Sequence, residues 1–450
     1  MSTFENWART QTCDARIVAP ATRTELQAAV RSATKRGRVR AFGGGCALGP
    51  LVPTTGTLID MRGLSRCLDV HVDSEPTLTV EAGMTMRALS EIALMHGLTV
   101  SAPTVFGGIT IGGAIATASH GSGRAFSSWS DRVVALTTVN ARGELVTIRD
   151  GDPDWPAASA GLGCFGIVYS VTLRAERAFQ LVFRQSAVPL PRALEILPEV
   201  VATHAFVETY WFPGANHLWF LAADPTPLPA RGPRTRWSRA VFDRITHFTG
   251  GALIPRLARL APAASVGVLK LAPYFTFKDG VEVVAAPDAF HYQTAYPRVW
   301  DYSVATPLAR ATDAWRTIID RIEHEARARR YPVNFVAHAR YLGASRAWLS
   351  PMYQQESCAI EVVSAAETPG WETFLTTLQH DLFAMDARTR PHLGKVLIEP
   401  RTLWERFDRS ARERFLEARE RFDPERVFVN EFLERELFSL APARASHAHA

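Results

Sequence analysis

The fold of this chain is decided by Gly107-Gly-Ile-Thr-Ile-Gly-Gly-Ala-Ile-Ala-Thr-Ala-Ser-His-Gly-Ser-Gly123, helped by the shorter run Arg40-Ala-Phe-Gly-Gly-Gly-Cys46. Glycine adopts positive φ at little cost and lets backbone amides come close to a bulky anion. Successive amides in such turns form concave nests that bind phosphate oxygens. Two nests in one region suit a long ligand that carries a diphosphate. The sequence therefore predicts a protein that binds a dinucleotide cofactor.

Composition excludes several other classes of protein. With 450 residues, 47% of them hydrophobic, the chain can bury a large core and is expected to form two or three domains. Its net charge of +5 comes from basic residues interleaved with acids, so we expect no nucleic-acid partner. The five cysteines lack Cys-x-x-Cys spacing, so neither a disulfide framework nor a metal site is indicated.

The sequence also gives an expectation about location. Its N-terminus has no basic start followed by an apolar run, so we expect no signal peptide. The most apolar region, 252–275, is interrupted by Arg256, Arg259 and Lys270, which argues against a membrane span. We therefore expect a cytoplasmic protein.

Two patterns of secondary structure follow one another along the chain. Residues 15–180 alternate strand and helix signals, among them a capping box at 22–25 and a strand at 39–42 that enters the first glycine turn. From 180 to 405 the pattern predicts an antiparallel sheet with helices on one face. Taken together these indicate an α+β fold. Strands are predicted at 206–212 and 218–223, helical stretches at 225–262, 307–329, 370–384 and 402–421, and a disordered tail beyond 438.

Two glycine motifs need their context to be interpreted. Gly161-Leu-Gly-Cys-Phe-Gly166 matches G-x-G-x-x-G, but a β-branched run follows it where a dinucleotide fold requires a helix, so NAD is not expected there. Ser119-His-Gly-Ser-Gly123 is compatible with a simple glycine turn. Because it follows the 107–113 run directly, we interpret it as part of the cofactor site.

These motifs together resemble the vanillyl-alcohol-oxidase-type flavoproteins, and within them the aldonolactone and alditol oxidases (gulonolactone, arabinonolactone and alditol oxidase). The resemblance covers residues 7–438. It is carried, besides the glycine segments, by Tyr210-Trp-Phe-Pro213, Arg390-Pro-His-Leu-Gly-Lys395 and Phe422-Asp-Pro-Glu-Arg-Val-Phe-Val-Asn430.

The resemblance implies a two-lobed architecture. An FAD-binding domain of the PCMH type would occupy residues 1–178, and a cap domain of antiparallel sheet and helices would occupy 179–405. Residues 406–438 would return to the FAD domain, and 439–450 would form the tail.

The resemblance also implies site residues. Arg340 matches an active-site arginine, Lys395 a flavin-facing lysine, and Ser122 a residue of the substrate pocket; we add His338 as a candidate catalytic residue. The residues expected to bind FAD are Phe42, Gly43, Gly44, Gly45, Cys46, Ala47, Gly107, Thr110, Gly112, Gly113, Ala116, Thr117, Ser119, His120, Gly121, Gly123, Gly166, Ile167, Val168, Lys395 and Asn430.

Elementary chemistry supports the two cations independently. Hydride arriving at a flavin leaves negative charge near N1 and the C2 carbonyl, and a fixed cation there stabilises it in a poorly solvated site. Arginine supplies a planar fork that is always charged, and lysine supplies a point charge. We therefore predict an FAD-dependent oxidoreductase that oxidises an alcohol, with oxygen or another electron acceptor completing the cycle.

Two departures from the family pattern keep alternatives open. Cys46-Ala47 stands where covalent members have His-Ser, so a histidyl link is impossible there; we predict non-covalent FAD, with a thiol link as the alternative. His338-Ala-Arg340 replaces Glu-x-Arg, so His338 is either a base for the substrate hydroxyl or a structural replacement. Because of these departures, a non-sugar substrate in a specialised biosynthetic pathway and a non-catalytic FAD-binding protein are alternatives to a sugar-lactone or alditol oxidase.

Overall fold

The chain folds around one large sheet of eight strands and smaller sheets of four, five and two strands, in a computed structural model that describes residues 2–100, 104, 106–231, 253–276, 279–289 and 298–440. Its strands are β1 (Ser2–Glu5), β2 (Thr12–Val18), β3 (Val39–Phe42), β4 (Thr57–Asp60), β5 (Cys67–His71), β6 (Thr77–Glu81), β7 (Leu98–Thr99), β8 (Val133–Val139), β9 (Leu145–Arg149), β10 (Ile167–Arg174), β11 (Glu176–Arg177), β12 (Gln180–Pro189), β13 (Phe206–Trp211), β14 (His217–Thr226), β15 (Gly280–Ala285), β16 (Val299–Pro307), β17 (Val336–Leu342), β18 (Ser357–Ala365) and β19 (Arg390–Pro391).

Helices connect and cover these strands. The α-helices are α1 (Arg23–Thr34), α2 (Met86–Met95), α3 (Ile111–Ala116), α4 (Trp155–Ala158), α5 (Leu190–Thr203), α6 (Ile254–Leu260), α7 (Pro262–Thr276), α8 (Ala286–Ala289), α9 (Ala311–Arg327), α10 (Trp371–Met385), α11 (Pro400–Trp404) and α12 (Arg409–Phe422). Within the described ranges, none of them is long and apolar enough to cross a lipid bilayer.

The N-terminal part contains a mixed sheet in the order β1-β2-β4-β3, in which β4 lies parallel to β2 and β3. Helix α1 begins as the sequence predicts, because the Thr22 hydroxyl accepts the Glu25 N–H. The reciprocal bond of the predicted capping box differs, since the Glu25 carboxylate accepts the N–H of Ala21 instead. An antiparallel sheet in the order β5-β6-β10-β8-β9 follows. Strand β10 comes directly after Gly166, where an NAD-binding motif requires a helix. This agrees with the prediction that the 161–166 motif does not bind NAD.

The large sheet is antiparallel throughout, in the order β15-β12-β14-β13-β17-β18-β16-β19. Helices α5, α9 and α10 bury their apolar sides against one face of it. Side chains alternate between the two faces along β17. Ala337, Ala339 and Tyr341 therefore pack against these helices, and His338 and Arg340 lie on the other face. All residues of β17 are buried, so both faces of the sheet are covered at this strand.

Two predicted helices need correction. The stretch 402–421 is not continuous: α11 ends at Trp404, and α12 begins after Asp408, whose carboxylate accepts the Ala411 N–H as an N-cap. Within 225–262, residues 225–226 belong to strand β14 and residues 227–231 are not helical, whereas α6 covers Ile254–Leu260. Residues 232–252 lie outside the described residues, as do residues 441–450 of the predicted tail.

The C-terminal segment packs against the base of the first glycine loop. Arg40 is buried and donates hydrogen bonds to the carbonyl oxygens of Leu51, Leu162 and Phe428. The Asn430 amide donates to the carbonyl oxygens of Pro50 and Pro53 at 2.9 Å each. These bonds satisfy buried carbonyl groups that no regular element pairs, and they fix the strand that leads into the loop.

Candidate active site

A cavity of about 260 Å³ lies between the N-terminal sheets and the face of the large sheet that carries His338 and Arg340. Residues of both glycine segments line part of its wall. Side chains of β16, β17 and β18 and the turn that holds Lys395 line another part. The cavity therefore joins a backbone-rich wall to a wall of ionisable side chains.

The two glycine segments contact each other directly, which explains why glycine is required at 43 and 44. A Cβ on Gly43 would lie 2.1 Å from Oγ1 of Thr110, and one on Gly44 would lie 2.7 Å from the carbonyl oxygen of Gly108. The first segment also contacts the Lys395 turn, because the Leu48 N–H donates to the Gly394 carbonyl at 2.9 Å. Three stretches that are far apart in sequence thus form one cradle.

Backbone amides of the first segment are available to a ligand. In the described part of the chain, the N–H groups of residues 44–47 donate to no other residue. By contrast, the N–H groups of Ile111 and Gly112 donate to the carbonyl oxygens of Met84 and Ala82 at 2.8 and 2.9 Å. The anion nest inferred from the sequence is therefore centred on the first glycine segment.

Another part of the cavity wall is a cluster of ionisable side chains on adjacent strands of the large sheet. Cross-strand pairing puts Glu208 opposite Arg340, and His338 opposite Glu361. Asp301 lies on β16, two residues before Ser303, the partner of Glu361. Because side chains alternate between faces, all five point to the same side of the sheet.

Arg340 is held by two carboxylates. Its Nε donates to Oε1 of Glu208 at 3.2 Å, and Nη1 donates to Oε1 of Glu361 at 3.3 Å. Glu208 is fixed in turn by the Tyr210 hydroxyl, which donates to Oε2 at 2.6 Å. Arg340 and both carboxylates are almost fully buried. A buried guanidinium with two acidic partners keeps its charge and its orientation.

Lys395 joins the cluster from the edge of the sheet. The segment that carries it runs beside β16, where the Val396 N–H donates to the Asp301 carbonyl at 2.9 Å. Its ammonium contacts Oδ2 of Asp301 and lies 3.1 Å from Oε2 of Glu361. One ammonium thus links two carboxylates on neighbouring strands.

The cluster shifts the pKa values of its members in different directions. Burial alone would raise the pKa of Glu361, but the charges of Lys395, His338 and Arg340 hold it well below its usual value. Burial and the nearby charge of Glu361 raise the pKa of Asp301 to about 6. Burial would lower the pKa of Lys395, but Asp301 and Glu361 outweigh that effect and raise it. Glu361 is therefore the permanent anion of the cluster.

The two ring nitrogens of His338 have different surroundings. Its Nε2 lies 3.0 Å from Oε2 of Glu361 and 3.1 Å from Nη2 of Arg340. Its Nδ1 is buried and has no hydrogen-bond partner among the described residues. The ring stacks on Tyr210 with 5.4 Å between centroids. The imidazole is thereby fixed with one ring nitrogen unpaired.

Two further histidines line the cavity beside the cluster. The rings of His120 and His392 lie 5.6 Å apart, and both are buried. Burial, followed by the charge of Arg340, lowers the pKa of His120 to about 3. Burial, followed by the charge of Lys395, lowers the pKa of His392 to about 4. Both rings are neutral at physiological pH.

Most residues expected from the sequence line this cavity. Of the candidate catalytic residues, His338, Arg340 and Lys395 do so. Of the candidate cofactor residues, the cavity wall includes Phe42, Gly43, Gly44, Gly45, Cys46, Ala47, Thr110, Gly112, Gly113, Ala116, Thr117, Ser119, His120, Gly166, Ile167, Val168 and Lys395.

Five expected residues lie outside the cavity wall and have other contacts. The buried Ser122 hydroxyl donates to the Val207 carbonyl at 2.7 Å, which ties the second glycine segment to β13. The Gly123 N–H donates to the Tyr341 carbonyl on β17. Gly107 and Gly121 contribute carbonyl oxygens to local bonds, and Asn430 binds the 50–53 loop as described above.

Sequence reasoning missed Glu361, Asp301, Glu208 and His392. A signal was present for the first two, because each is a lone carboxylate in an apolar strand: Cys358-Ala-Ile-Glu-Val-Val363 and Val299-Trp-Asp-Tyr302. Such a residue is seldom buried without a partner. The partner of each carboxylate depends on the register between neighbouring strands, which the sequence alone does not show.

The arrangement fits a flavin dinucleotide. The backbone amides of residues 44–47 have no partner among the described residues and match a diphosphate, and the cluster in the same cavity offers a guanidinium and an ammonium. His338 Nδ1 and Asp301 Oδ1 are buried atoms without a partner in the described residues, as expected where a ligand supplies one.

Cys46 is the residue on which covalent attachment depends. Burial raises the pKa of its thiol to about 12. Its Sγ lies 3.5 Å from the Gly44 carbonyl oxygen, to which the thiol can donate. Because the thiolate is the nucleophilic form, this thiol is poorly activated for bond formation.

Comparisons with known proteins agree with this geometry. The family model for D-arabinono-1,4-lactone oxidase matches residues 171–436, and an FAD binding domain model matches residues 15–149. The first match covers the large sheet with its ionisable cluster. The second covers both glycine segments.

Similar proteins span nearly the whole chain. L-gulono-1,4-lactone dehydrogenase of Mycobacterium tuberculosis is 31% identical over 442 residues, covering 96% of this chain and 99% of its own. L-gulonolactone oxidase of Scyliorhinus torazame is 25% identical over 451 residues, covering 97% and 98%. Among solved structures, cholesterol oxidase from B. sterolicum superposes with a TM-score of 0.82 at 20% identity, covering 97% of this chain and 96% of its own. This last likeness shows the fold.

Proposed function

Because the chain belongs to the D-arabinono-1,4-lactone oxidase family and is an FAD-dependent oxidoreductase of CH–OH donors, we propose that it oxidises a hydroxyl group of a sugar lactone. The observation that carries this proposal is the meeting of the glycine cradle with the Arg340–Lys395 cluster in one cavity. A two-electron oxidation of an alcohol removes a hydride and a proton, so the site needs an acceptor for each.

Bound FAD supplies the hydride acceptor, which no side chain can provide. The residues proposed to hold it are those of the cradle at 43–47 and 110–119, and Gly166, Ile167 and Val168 on the opposite wall. Arg340 and Lys395 place fixed positive charge at the end of the cavity where the reaction develops negative charge. Their carboxylate partners keep both side chains from moving, so little reorganisation is needed during the reaction.

His338 is the proposed base for the substrate hydroxyl. Nε2 of His338 faces both Glu361, which can only accept a hydrogen bond, and Nη2 of Arg340, which can only donate one. In this proposal the contact with ionised Glu361 at 3.0 Å sets the tautomer, and the hydrogen bond from His338 helps to keep the pKa of Glu361 low, so the proton is on Nε2. That tautomer leaves a lone pair on Nδ1, the nitrogen without a partner in the described residues. When Nδ1 takes the proton of the substrate hydroxyl, Glu361 stabilises the resulting imidazolium.

FAD binds without a covalent link in this proposal. The support is the high pKa of the Cys46 thiol together with the absence of histidine from position 46. Acid precipitation of the yellow protein should leave all flavin in the supernatant. Flavin that remains with the precipitated chain, and is lost from it in the Cys46→Ser variant, would show a thiol link instead.

The electron acceptor is the part of the reaction on which the names of the relatives differ, since one is a dehydrogenase and the other an oxidase. We propose that the residues of this site serve an oxidase and a dehydrogenase equally well up to reduction of the flavin. The two classes differ in the molecule that reoxidises it. Mixing reduced protein with air or with an artificial acceptor, and following reoxidation, assigns it to one class.

The domain division at 178 and 405 and a cytoplasmic location remain proposals. The first is supported by the change from the small sheets to the large sheet at β12. Expression of residues 1–178 alone tests the domain division. Fractionation of the source cells tests the location.

The proposed function is tested by anaerobic reduction of the bound flavin with a panel of donors. We expect rapid bleaching with L-gulono-1,4-lactone or D-arabinono-1,4-lactone, and slow bleaching in the Lys395→Met and Arg340→Gln variants. Bleaching by none of the sugar lactones, but by a non-sugar alcohol, would favour the alternative substrate class. Bleaching by no donor, with equal behaviour of all three proteins, would indicate a non-catalytic FAD-binding protein.

A further inference from the structure

Asp301 has an oxygen that the proposed mechanism does not use. Its Oδ2 contacts the Lys395 ammonium, while Oδ1 is buried and has no partner among the described residues. Asp301 lines the same cavity as His338 and Arg340. An unpaired carboxylate oxygen in a closed site is costly unless a ligand donates a hydrogen bond to it.

The carboxylate is fixed before any ligand arrives. Lys395 holds Oδ2, and the Val396 N–H holds the Asp301 carbonyl from the neighbouring segment. The side chain therefore cannot rotate freely, and Oδ1 keeps its direction. A pre-oriented anion is a strong and selective acceptor for a hydroxyl donor.

The position of Asp301 relative to His338 limits which hydroxyl it can bind. Both side chains flank Glu361, whose Oε2 lies 3.0 Å from Nε2 of His338 and 3.1 Å from the Lys395 ammonium. Their strands, β17 and β16, are separated by β18, so the backbones are about 10 Å apart. A substrate whose reacting hydroxyl lies at His338 must therefore reach Asp301 with a different hydroxyl group.

We propose that Asp301 determines specificity for polyhydroxylated substrates by accepting, through Oδ1, a hydrogen bond from a substrate hydroxyl that is not oxidised. This inference rests on the proposed function and refines it. It assigns the site to lactones that carry at least two free hydroxyl groups, and it disfavours simple alcohols, which would leave the carboxylate oxygen unpaired.

The bound cofactor also contains O–H and N–H donors, so the test must separate the two sources. The variant is Asp301→Asn. Its amide oxygen will face the Lys395 ammonium, which places the NH2 group where Oδ1 stood and replaces an acceptor by a donor. The matched control is Ser303→Ala. It removes a second buried oxygen that has no partner among the described residues and that lies on the same strand and the same face, but outside the cavity wall.

Two quantities are measured for the wild type and each variant: KM and kcat with a sugar lactone, and the Kd of FAD by fluorescence titration of the apoprotein. We expect Asp301→Asn to raise KM about tenfold or more, with a smaller change in kcat and an unchanged Kd for FAD. Ser303→Ala should change none of the three. An unchanged KM, or a weakened FAD affinity with unchanged KM, overturns the inference.

A second measurement needs no variant and remains decisive if Asp301→Asn fails to fold. A series of deoxy-lactones, each lacking one hydroxyl that is not oxidised, is tested with the wild type. One member of the series should lose affinity by a similar factor, and Asp301→Asn should discriminate poorly between that member and the parent lactone. If no deoxy-lactone binds more weakly, the inference is wrong although the proposed function stands. If the wild type is reduced by no sugar lactone at all, both are wrong.

Discussion

Glu361 is the residue on which the cluster depends, because it contacts Lys395, His338 and Arg340 at once. In the family pattern a carboxylate precedes the arginine by two residues on the same strand. Here that position is His338, and a carboxylate lies opposite it on β18. The position of the acidic residue is thus taken by a histidine, and a glutamate lies beside it on the neighbouring strand.

The first prediction concerns this pair. Replacing His338 by Gln should lower the rate constant of anaerobic flavin reduction by roughly 10²–10⁴, the usual contribution of a general base. Glu361→Gln should lower it less and should move the pH profile of the reaction, because the imidazolium loses its anionic neighbour. An exposed histidine, His71, serves as the control through His71→Gln. Unchanged reduction in His338→Gln would assign that residue a structural role.

The second prediction concerns the neutral histidines. Folding lowers the pKa values of His120 and His392 from 6.5 to about 3 and about 4. Between pH 6.5 and pH 4 the unfolded chain therefore binds more protons than the folded protein, so the free energy of unfolding falls as the pH decreases. His392→Asn keeps an acceptor for the Gly394 N–H and removes one titrating group. Urea unfolding across this range should show a shallower pH dependence in the variant, and an identical slope would contradict the account.

At the residue scale, the sequence motifs named Arg340, Lys395 and His338, and all three line the cavity. It placed Ser122 in the substrate pocket, whereas its hydroxyl is bonded to the Val207 carbonyl. It could not find Glu361 or Asp301. Their roles arise from the register of β16, β17 and β18, which nothing local in the sequence specifies.

At the scale of elements, the glycine segments act as a packed unit and not as two separate loops. Gly43 and Gly44 are required by contact with Thr110 and Gly108, in addition to any contact with a ligand. The Ser122–Gly123 end of the second segment is bonded to β13 and β17, the strands that carry Glu208 and Arg340. The cradle and the cluster are thereby held at a fixed distance from each other.

The third prediction tests this packing. Gly43→Ala places a methyl group 2.1 Å from the Thr110 hydroxyl, so the two segments must separate. The expected result is a large increase in the Kd of FAD with a modest loss of stability. Thr110→Gly in the same chain should recover part of the affinity.

The control for that experiment is Gly267→Ala in α7, where an added Cβ meets nothing within 4 Å. Cofactor affinity should not change in this variant. If Gly43→Ala binds FAD as tightly as the control does, the close contact between the segments has no part in forming the site.

Helices and strands were predicted most accurately where the deciding sequence pattern involves residues close together in the chain. Thr85 caps α2 and Thr22 caps α1, as their sequences indicate. The long C-terminal helix was predicted as one piece because its charged periodicity continues through residues 405–408. The break there comes from Asp408, whose capping bond to Ala411 starts a new helix.

At the scale of the whole molecule, the cavity draws its walls from all parts of the chain. The small sheets supply the cradle, the large sheet supplies the cluster, and the C-terminal segment fixes the cradle through Arg40 and Asn430. The change from small sheets to a large antiparallel sheet was predictable from the sequence. The strand order of the large sheet was not, because it depends on pairings between strands more than 100 residues apart.

The fourth prediction follows from that architecture. A ligand that binds only the folded protein stabilises it, by about 2.7 kcal/mol when its concentration is 100 times its Kd. The melting temperature of the apoprotein should therefore rise steadily with FAD concentration. The rise should be much smaller in Gly43→Ala, whose cradle is displaced. A melting temperature that does not respond to FAD would contradict assembly of the site from these parts.

We propose above all that one FAD molecule is held in two places: its diphosphate by the backbone amides of residues 44–47, and its flavin ring by the Arg340–Lys395 cluster. The most direct measurement is a crystal structure of the FAD complex. We expect diphosphate oxygens at about 3 Å from N–H groups of residues 44–47, and the flavin ring against Lys395 and Arg340. A diphosphate bound elsewhere, or a flavin ring separated from both cations, would contradict the account.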